Sequence, residues 1–261
     1  MSSLVSHISD LVRHRSLIGH LVGKELKVRY RGSVLGFLWT FLNPLMLLGV
    51  YALVFSVYMR IQMENYAAFM FSGLLPWIWV HSSLVYGTNA ITEGESLVTK
   101  VIFPLQVMPT VKVAAALVNY LLGLPILAAF IWLQGIPPSF NLLWLPFVLA
   151  AAWLFVWGLA LLLSTLNVFL RDTQYIIANL LTLWFFLTPI LYPLSQVPER
   201  YRWLIKLNPL TLMMGAFQNL FFRRQGPNWP ELGLLALVGL AVAGVGMAVF
   251  DRYKESFAEM V

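Results

Sequence analysis

Cysteine is missing altogether, and charge is scarce. With no Cys in the chain, neither a disulfide framework nor a thiolate metal site can be built. Charged residues make up 11% of the 261 positions, where a soluble domain typically carries about 25%. So few charges cannot cover a water-facing surface. A composition that is 60% hydrophobic therefore points to lipid as the main solvent. The four histidines, His7, His14, His20 and His81, are scattered and the HExxH spacing is absent, so no metal site is expected.

Other absences narrow the chemistry. No phosphate-binding GxxxxGK loop ending in Ser or Thr is present. Gly23-Lys24 comes nearest, but Glu25 follows the lysine and Ile18 stands where the first glycine belongs. The chain is expected to bind no cofactor and to hydrolyse no ATP by itself. No GxSxG nucleophile turn occurs. No carboxylate pair resembles a transferase site either: Glu93 and Glu95 are two apart, and Asp172 stands beside Arg171. Membrane-buried charges, which ion-coupled carriers need, reduce to Lys112 at the inner end of one apolar stretch, where its amine is expected to snorkel. The first thirty residues lack the continuous apolar run of a signal peptide. No internal repeat or linker stands out.

What is there is a series of uncharged stretches. Charges inside a bilayer are costly, and a spanning helix needs about 20 residues. The gaps 32–59, 65–92, 113–170, 173–198 and 232–250 measure out the spans. The third holds two, broken at Gln134–Ser139 by a Gly-Ile-Pro-Pro turn signal. The expected fold is an all-α integral membrane protein with six transmembrane helices, at roughly 34–58, 66–89, 108–133, 142–168, 174–193 and 232–250. One domain covers 1–261: a cytoplasmic interfacial segment over 1–32, a six-span bundle over 33–250 and a tail over 251–261. With the N-terminus inside, eleven of the Lys and Arg residues fall on inner segments and six on outer ones. The positive-inside rule then puts both termini in the cytoplasm.

Three segments fall outside the spans. Leu4, Ile8, Leu11 and Val12, then Ile18, Leu21 and Val22, recur at helical spacing before the first span. An interfacial helix on an anionic leaflet suits them, and a solvated tail is the alternative. Residues 90–107 place Glu93 and Glu95 before Lys100 and close on Phe103 and Pro104, which suits a short helix's dipole. This reads as a docking knob or as a plain connection. Residues 207–222 are uncharged but too short to span, with Pro209 near the start. A re-entrant or interfacial pair of short helices fits them. Aromatics are abundant, and several lie away from span ends: Trp39, Phe41 and Tyr51 in the first span, and Trp184, Phe185 and Phe186 in the fifth. Such rings either pack the bundle or stack on the apolar faces of sugars along a path.

The motifs converge on a family. KxRYRGSxLGxLWxxxxP at Lys27–Pro44 resembles the N-terminal signature of type-two ABC transporter permeases that export polysaccharides, among them those for O-antigen, capsule and teichoic acid. VTKVIFPLQVMP at Val98–Pro109, NVFLRDTQY at Asn167–Tyr175, LTPILYP at Leu187–Pro193 and LNPLT at Leu207–Thr211 are similar to later family segments, in order.

The resemblance implies a permease in the bacterial inner membrane. It implies a homodimer with a channel between the copies, two separate ATP-binding subunits that carry ATP and magnesium, and a polymer on a polyprenyl pyrophosphate lipid as cargo. Beyond these and membrane lipid no partner is expected, nucleic acid included. Spans one and five would line the channel with Trp39, Phe41, Tyr51, Tyr175, Trp184, Phe185, Phe186 and Tyr192. Glu93, Glu95, Lys100, Phe103 and Pro104 would form the coupling helix, and residues 200–222 the exit-side pore helices. The basic patch Lys24, Lys27, Arg29 and Arg31 would either attract the pyrophosphate or anchor the chain. A permease of the same fold with a small lipophilic cargo remains the alternative, and a membrane enzyme of lipid-linked sugar assembly a more distant one.

Overall fold

A computed structural model describes residues 9–29, 31–61, 63–94 and 104–260. Helices account for nearly all of it, and no strand occurs among the described residues. In chain order, α1 is Arg15–Arg29, α2 Trp39–Ala52, α3 Tyr66–Thr88, α4 Val107–Leu133, α5 Leu145–Phe169, α6 Thr173–Leu187, α7 Glu199–Leu207, α8 Pro209–Phe221, α9 Trp229–Tyr253 and α10 Phe257–Met260. Five stretches are long and apolar enough to cross a membrane: Gly36–Tyr58, Tyr66–Thr88, Val107–Leu133, Phe140–Phe169 and Trp229–Ser256. They correspond to the expected spans one to four and six.

The two ends of the bundle are marked by contacts. At the α1 end, the Lys112 amine of α4 meets Glu25 of α1 and Glu93 after α3. There too, Asn167 of α5 donates to Asn89 at 3.1 Å and Phe169 packs on Tyr253. At the far end, the Asn141 amide donates to the Arg224 carbonyl at 2.8 Å, and Trp144 meets Trp229 edge to face at 4.8 Å. Both described chain ends lie at the α1 end, where Leu11 and Phe257 join one apolar cluster with Phe250.

The centre is built where backbones can approach. Spans four and six cross at Gly158, where an added Cβ would stand 2.5 Å from the Ala243 backbone. One on Gly246 would overlap the Gly158 carbonyl oxygen. Lipid tails are as apolar as leucine, so close van der Waals contact between small residues drives this association. Interhelical hydrogen bonds add to it: the Trp157 indole donates to Thr110 at 2.8 Å. The second span is the most enclosed, with 78% of its most apolar window buried.

The fifth expected span departs from 174–193. Its helix, α6, has 15 residues, about 22 Å long, short of a hydrocarbon core of about 30 Å. Pro189 ends it, because the residue before a proline is pushed out of the helical region, and Thr188 is extended at φ −99°, ψ 134°. The helix stops near the middle of the bundle: Trp184 faces Phe155 at 6.4 Å and Phe185 faces Trp77 at 5.4 Å. The chain then reaches the far end, where the Tyr66 hydroxyl donates to the Leu191 carbonyl at 2.6 Å.

Residues 199–221 return and leave again as a helical pair. No residue of α7 is buried, whereas ten residues of α8 are. Asn208 joins the two at the depth of Trp184, and Phe217 touches Tyr120, midway along α4. Phe222 then packs on Phe69 at the far end. The apolar segment 207–222 is thus neither a seventh span nor a surface helix but an inserted one, sheltered by the second, fourth and sixth spans. Such backbone is tolerated at membrane depth only when protein or a cavity shields it.

Candidate functional site

The open flank of the bundle holds the candidate site. The first span is only 17% buried over its most apolar window. Along α2, Thr40, Pro44 and Leu48 face inward, while Met46, Leu47 and Val50 are exposed. On α6 only Thr173, Leu181 and Phe185 are buried, and Tyr175, Leu183, Phe186 and Leu187 are exposed. Buried positions at i and i+4 leave a wide unpartnered face on each helix.

Between these two helices and the second span lies a cavity of about 470 Å³. Asn43, Tyr51, Trp77, His81, Phe185 and Phe186 are among its lining residues. Phe185 sits between Tyr51 at 5.6 Å and Trp77 at 5.4 Å, with Phe186 5.3 Å away. The result is a cluster of aromatic planes with an amide and an imidazole at its edges. Such a wall stacks on apolar C–H faces and offers few polar groups to hold a ligand in one place.

The expected channel residues divide into several environments. Tyr51, Phe185 and Phe186 line the aromatic cavity. Phe185 is 5% exposed, so it forms the back of the wall, while Phe186 faces outward. Trp184 is held from behind: its indole donates to Asn208 Oδ1 at 2.8 Å, and the Asn208 amide donates to Thr188 at 3.1 Å. The same Asn208 oxygen accepts from the Leu210 N–H and caps α8. Tyr192 donates to the Phe186 carbonyl at 3.0 Å and ties the far-end link to α6. Tyr175 is exposed in the first turn of α6, at the α1 end. Trp39 donates to Ser33 at 3.1 Å and Phe41 packs edge to face on Phe37, both away from the aromatic cavity.

Trp77 and His81 were not among the expected channel residues. They stand four apart on one face of α3, their rings 6.4 Å apart. That spacing was the available signal. The second span carries so many apolar residues that no face stands out in its sequence.

The basic patch is two groups. Lys24, Lys27 and Arg31 line one groove along α1 together with Gly19, His20 and Gly23. Arg29 turns to the opposite side, its guanidinium 4.4 Å from the centre of the Tyr86 ring. Positions 24 and 27 share a face of α1 and 29 does not, and Arg31 joins them from the turn past the helix end.

At the α1 end, Lys112 does not snorkel freely. Its amine lies 3.0 Å and 3.1 Å from the two Glu25 oxygens and 2.9 Å from Glu93 Oε2. One cation thus joins α1, α4 and the start of the segment after α3. Of the expected coupling residues, Glu93 holds this contact and the Pro104 carbonyl accepts from the Val107 N–H. Glu95, Lys100 and Phe103 lie outside the described residues. Among the described residues, no group of three His, Asp or Glu side chains is gathered as a metal site would require.

Comparison with known proteins matches these features to one family. The sequence profile of the ABC-2 type transporter membrane family matches residues 16–222, from α1 to just past α8. An O-antigen export system permease protein, RfbA, of Myxococcus xanthus is 40% identical over 260 residues, covering 99% of this chain and all of that protein. A protein of the same name from Klebsiella pneumoniae is 34% identical, over 92% of this chain and 93% of its own length. The polysialic acid transport protein KpsM of Escherichia coli is 23% identical, over 89% and 92% respectively.

Proposed function

Because this chain belongs to the ABC-2 type transporter family, we propose that it is the membrane-spanning subunit of an ATP-driven exporter that carries an O-antigen-like polysaccharide out across the bacterial inner membrane. The cargo is a polymer on a polyprenyl pyrophosphate lipid. It passes through a channel between two copies of the chain, and both termini of each copy lie in the cytoplasm. The observation that carries the reading is the end-to-end similarity to permeases named for O-antigen export.

The geometry supports the mechanism in three ways. The first span and α6 leave a wide apolar flank in one copy, which a second copy facing it would close. Tyr51, Trp77, Phe185 and Phe186 lie at the edge of that flank, where stacking lets a sugar polymer slide. Lys112 connects α1 and the start of the 90–107 segment, so a push from an ATP-binding subunit on that segment reaches α1 and the first span. ATP and magnesium reside on two separate subunits of the exporter.

Deletion and complementation test the cargo. Loss of the chain is expected to abolish surface polymer and leave lipid-linked polymer inside, and ATP hydrolysis is expected only with a co-expressed ATPase subunit. Polymer export that survives deletion while drug sensitivity changes would move the assignment to a small lipophilic cargo. A single cysteine tests the dimer cleanly in a chain that has none. Leu183→Cys on the open face is expected to form a disulfide between copies, and a purely monomeric product would refute the shared channel.

A further inference from the structure

The first and second spans enclose a second cavity, on the side away from Phe185. Its volume is about 410 Å³, and it lies among α1 and the first three spans. Asn43 and Ile78 stand between it and the aromatic cavity, since they line both. It runs from Arg29 and Tyr86 at the α1 end to Tyr120, midway along α4.

Its polar groups are unanswered. Arg29 Nη2, Trp79 Nε1, Asn119 Oδ1 and Tyr120 Oη are buried and have no hydrogen-bond partner among the described residues. Trp79 and Tyr120 are 1% and 2% exposed, with their rings 5.7 Å apart. Such an atom is costly to bury if nothing meets it, and folded interiors rarely leave them so. Four around one cavity point to an occupant that supplies the partners.

The inventory of groups defines that occupant. The guanidinium is a permanent cation with donors only, the indole is a donor only, the phenol gives and takes, and the amide oxygen accepts. Hydroxyl groups answer the last three. Water would do as much, but it leaves Arg29 without counter-charge, because no carboxylate pairs with it among the described residues. An anion at the α1 end of the cavity would supply that charge to the half-buried guanidinium, which favours phosphate.

We propose that this cavity binds a phosphate ester bearing hydroxyl groups, with its phosphate on Arg29 and its hydroxyls on Trp79, Asn119 and Tyr120. Two sources carry that chemistry: the headgroup of an anionic glycerophospholipid and the sugar-phosphate end of the cargo. The second source rests on the polysaccharide-export reading; the first does not.

The test uses the full chain in phosphatidylcholine nanodiscs, followed by tryptophan fluorescence. One arm adds phosphatidylglycerol and the other glucose 1-phosphate. A saturable change with either probe is expected, absent in Trp79→Phe. Arg29→Gln and Asn119→Ala are each expected to weaken it about tenfold or more. Should Arg29→Gln fail to fold, Arg29→Lys keeps the charge and loses the fork, and a smaller weakening is expected. A response to phosphatidylglycerol assigns the site to membrane lipid, and one to glucose 1-phosphate assigns it to the cargo. No saturable response to either, or a response that neither Arg29 nor Asn119 substitution alters, overturns the proposal. Lipid binding in a chain that proves not to export polymer would end the export reading and leave this site standing.

Discussion

The first two spans, Gly36–Tyr58 and Tyr66–Thr88, are each 23 residues long, and the first is the more hydrophobic. Yet over their most apolar windows 17% of the first is buried and 78% of the second. In water the order would be reversed, because burial follows apolar area. In lipid, an apolar surface costs nothing to expose, and burial follows close packing and polar pairing. The second span carries Ser72, Ser83 and Thr88, all fully buried. The first presents Met46, Val50, Leu53 and Val57 outward. One helix is scaffold. The other is a wall held against the scaffold on one side and free to face lipid or a second copy on the other.

The sharpest way to break this comparison is to force the scaffold apart. Gly158→Leu drives a side chain into the Ala243 backbone, which cannot yield as a flexible side chain would. We expect a loss of about 3 kcal/mol or more, read as little folded protein and a collapsed melting temperature in detergent. Val50→Leu on the first span is expected to change stability by less than about 0.5 kcal/mol. Equal losses for the two would mean that the first span is as tightly engaged as the centre.

A smaller effect is expected where wall and scaffold meet. Asn208→Ala removes the partner of the Trp184 indole and the cap of α8 at once. A cost of about 1–3 kcal/mol follows, together with faster proteolysis between α6 and α8. Unchanged protection would mean that the helical pair is held by its apolar contacts alone.

Lys112 tests whether the α1 end acts as one unit. Glu25 and Glu93 differ in exposure, their side chains being 23% and 53% exposed, and exposed ion pairs contribute little. A double-mutant cycle of Lys112→Met with Glu25→Gln is expected to show a coupling of about 1 kcal/mol, and the same cycle with Glu93→Gln less. Equal couplings would remove the distinction.

The smallest stability change belongs to Phe186→Ala, which truncates an exposed ring. It is expected to melt within about 0.5 kcal/mol of the parent while lowering polymer export in cells and leaving assembly with the ATPase intact. Trp184→Ala is expected to fail in stability first. If Phe186→Ala exported normally, the open face would be a lipid or dimer surface only.

Much of the fold was legible because lipid imposes a simple ruler. Charges, and between spans three and four a Gly-Pro turn, mark where the chain leaves the hydrocarbon, and five helices match the spans read from them. Part of the site was legible too. Tyr51, Phe185 and Phe186 are close together, although they come from spans far apart in the chain. The division of Lys24 and Lys27 from Arg29 was available in the helical repeat, since it follows from 100° per residue, whereas Arg31 lies past the end of α1. Trp77 and His81 were hidden by the uniform hydrophobicity of the second span.

By itself, the sequence determined the membrane class, the order of the spans, the absence of ATP-binding and metal chemistry motifs, and the boundary between basic segment and first span. Each of these depends on local composition, which lipid reads residue by residue. Pro189 offered a stop, and tertiary structure decided that the fifth helix takes it and where the chain goes next. Pro76 and Pro125 sit inside continuous helices, so Pro189 need not have broken one. It does so where the freed backbone finds partners: Gln218 of α8 donates to the Pro189 carbonyl at 3.0 Å and Tyr66 to that of Leu191. A break at membrane depth stands only when another part of the chain supplies those hydrogen bonds. Residues 29 and 125 positions away in sequence do so here.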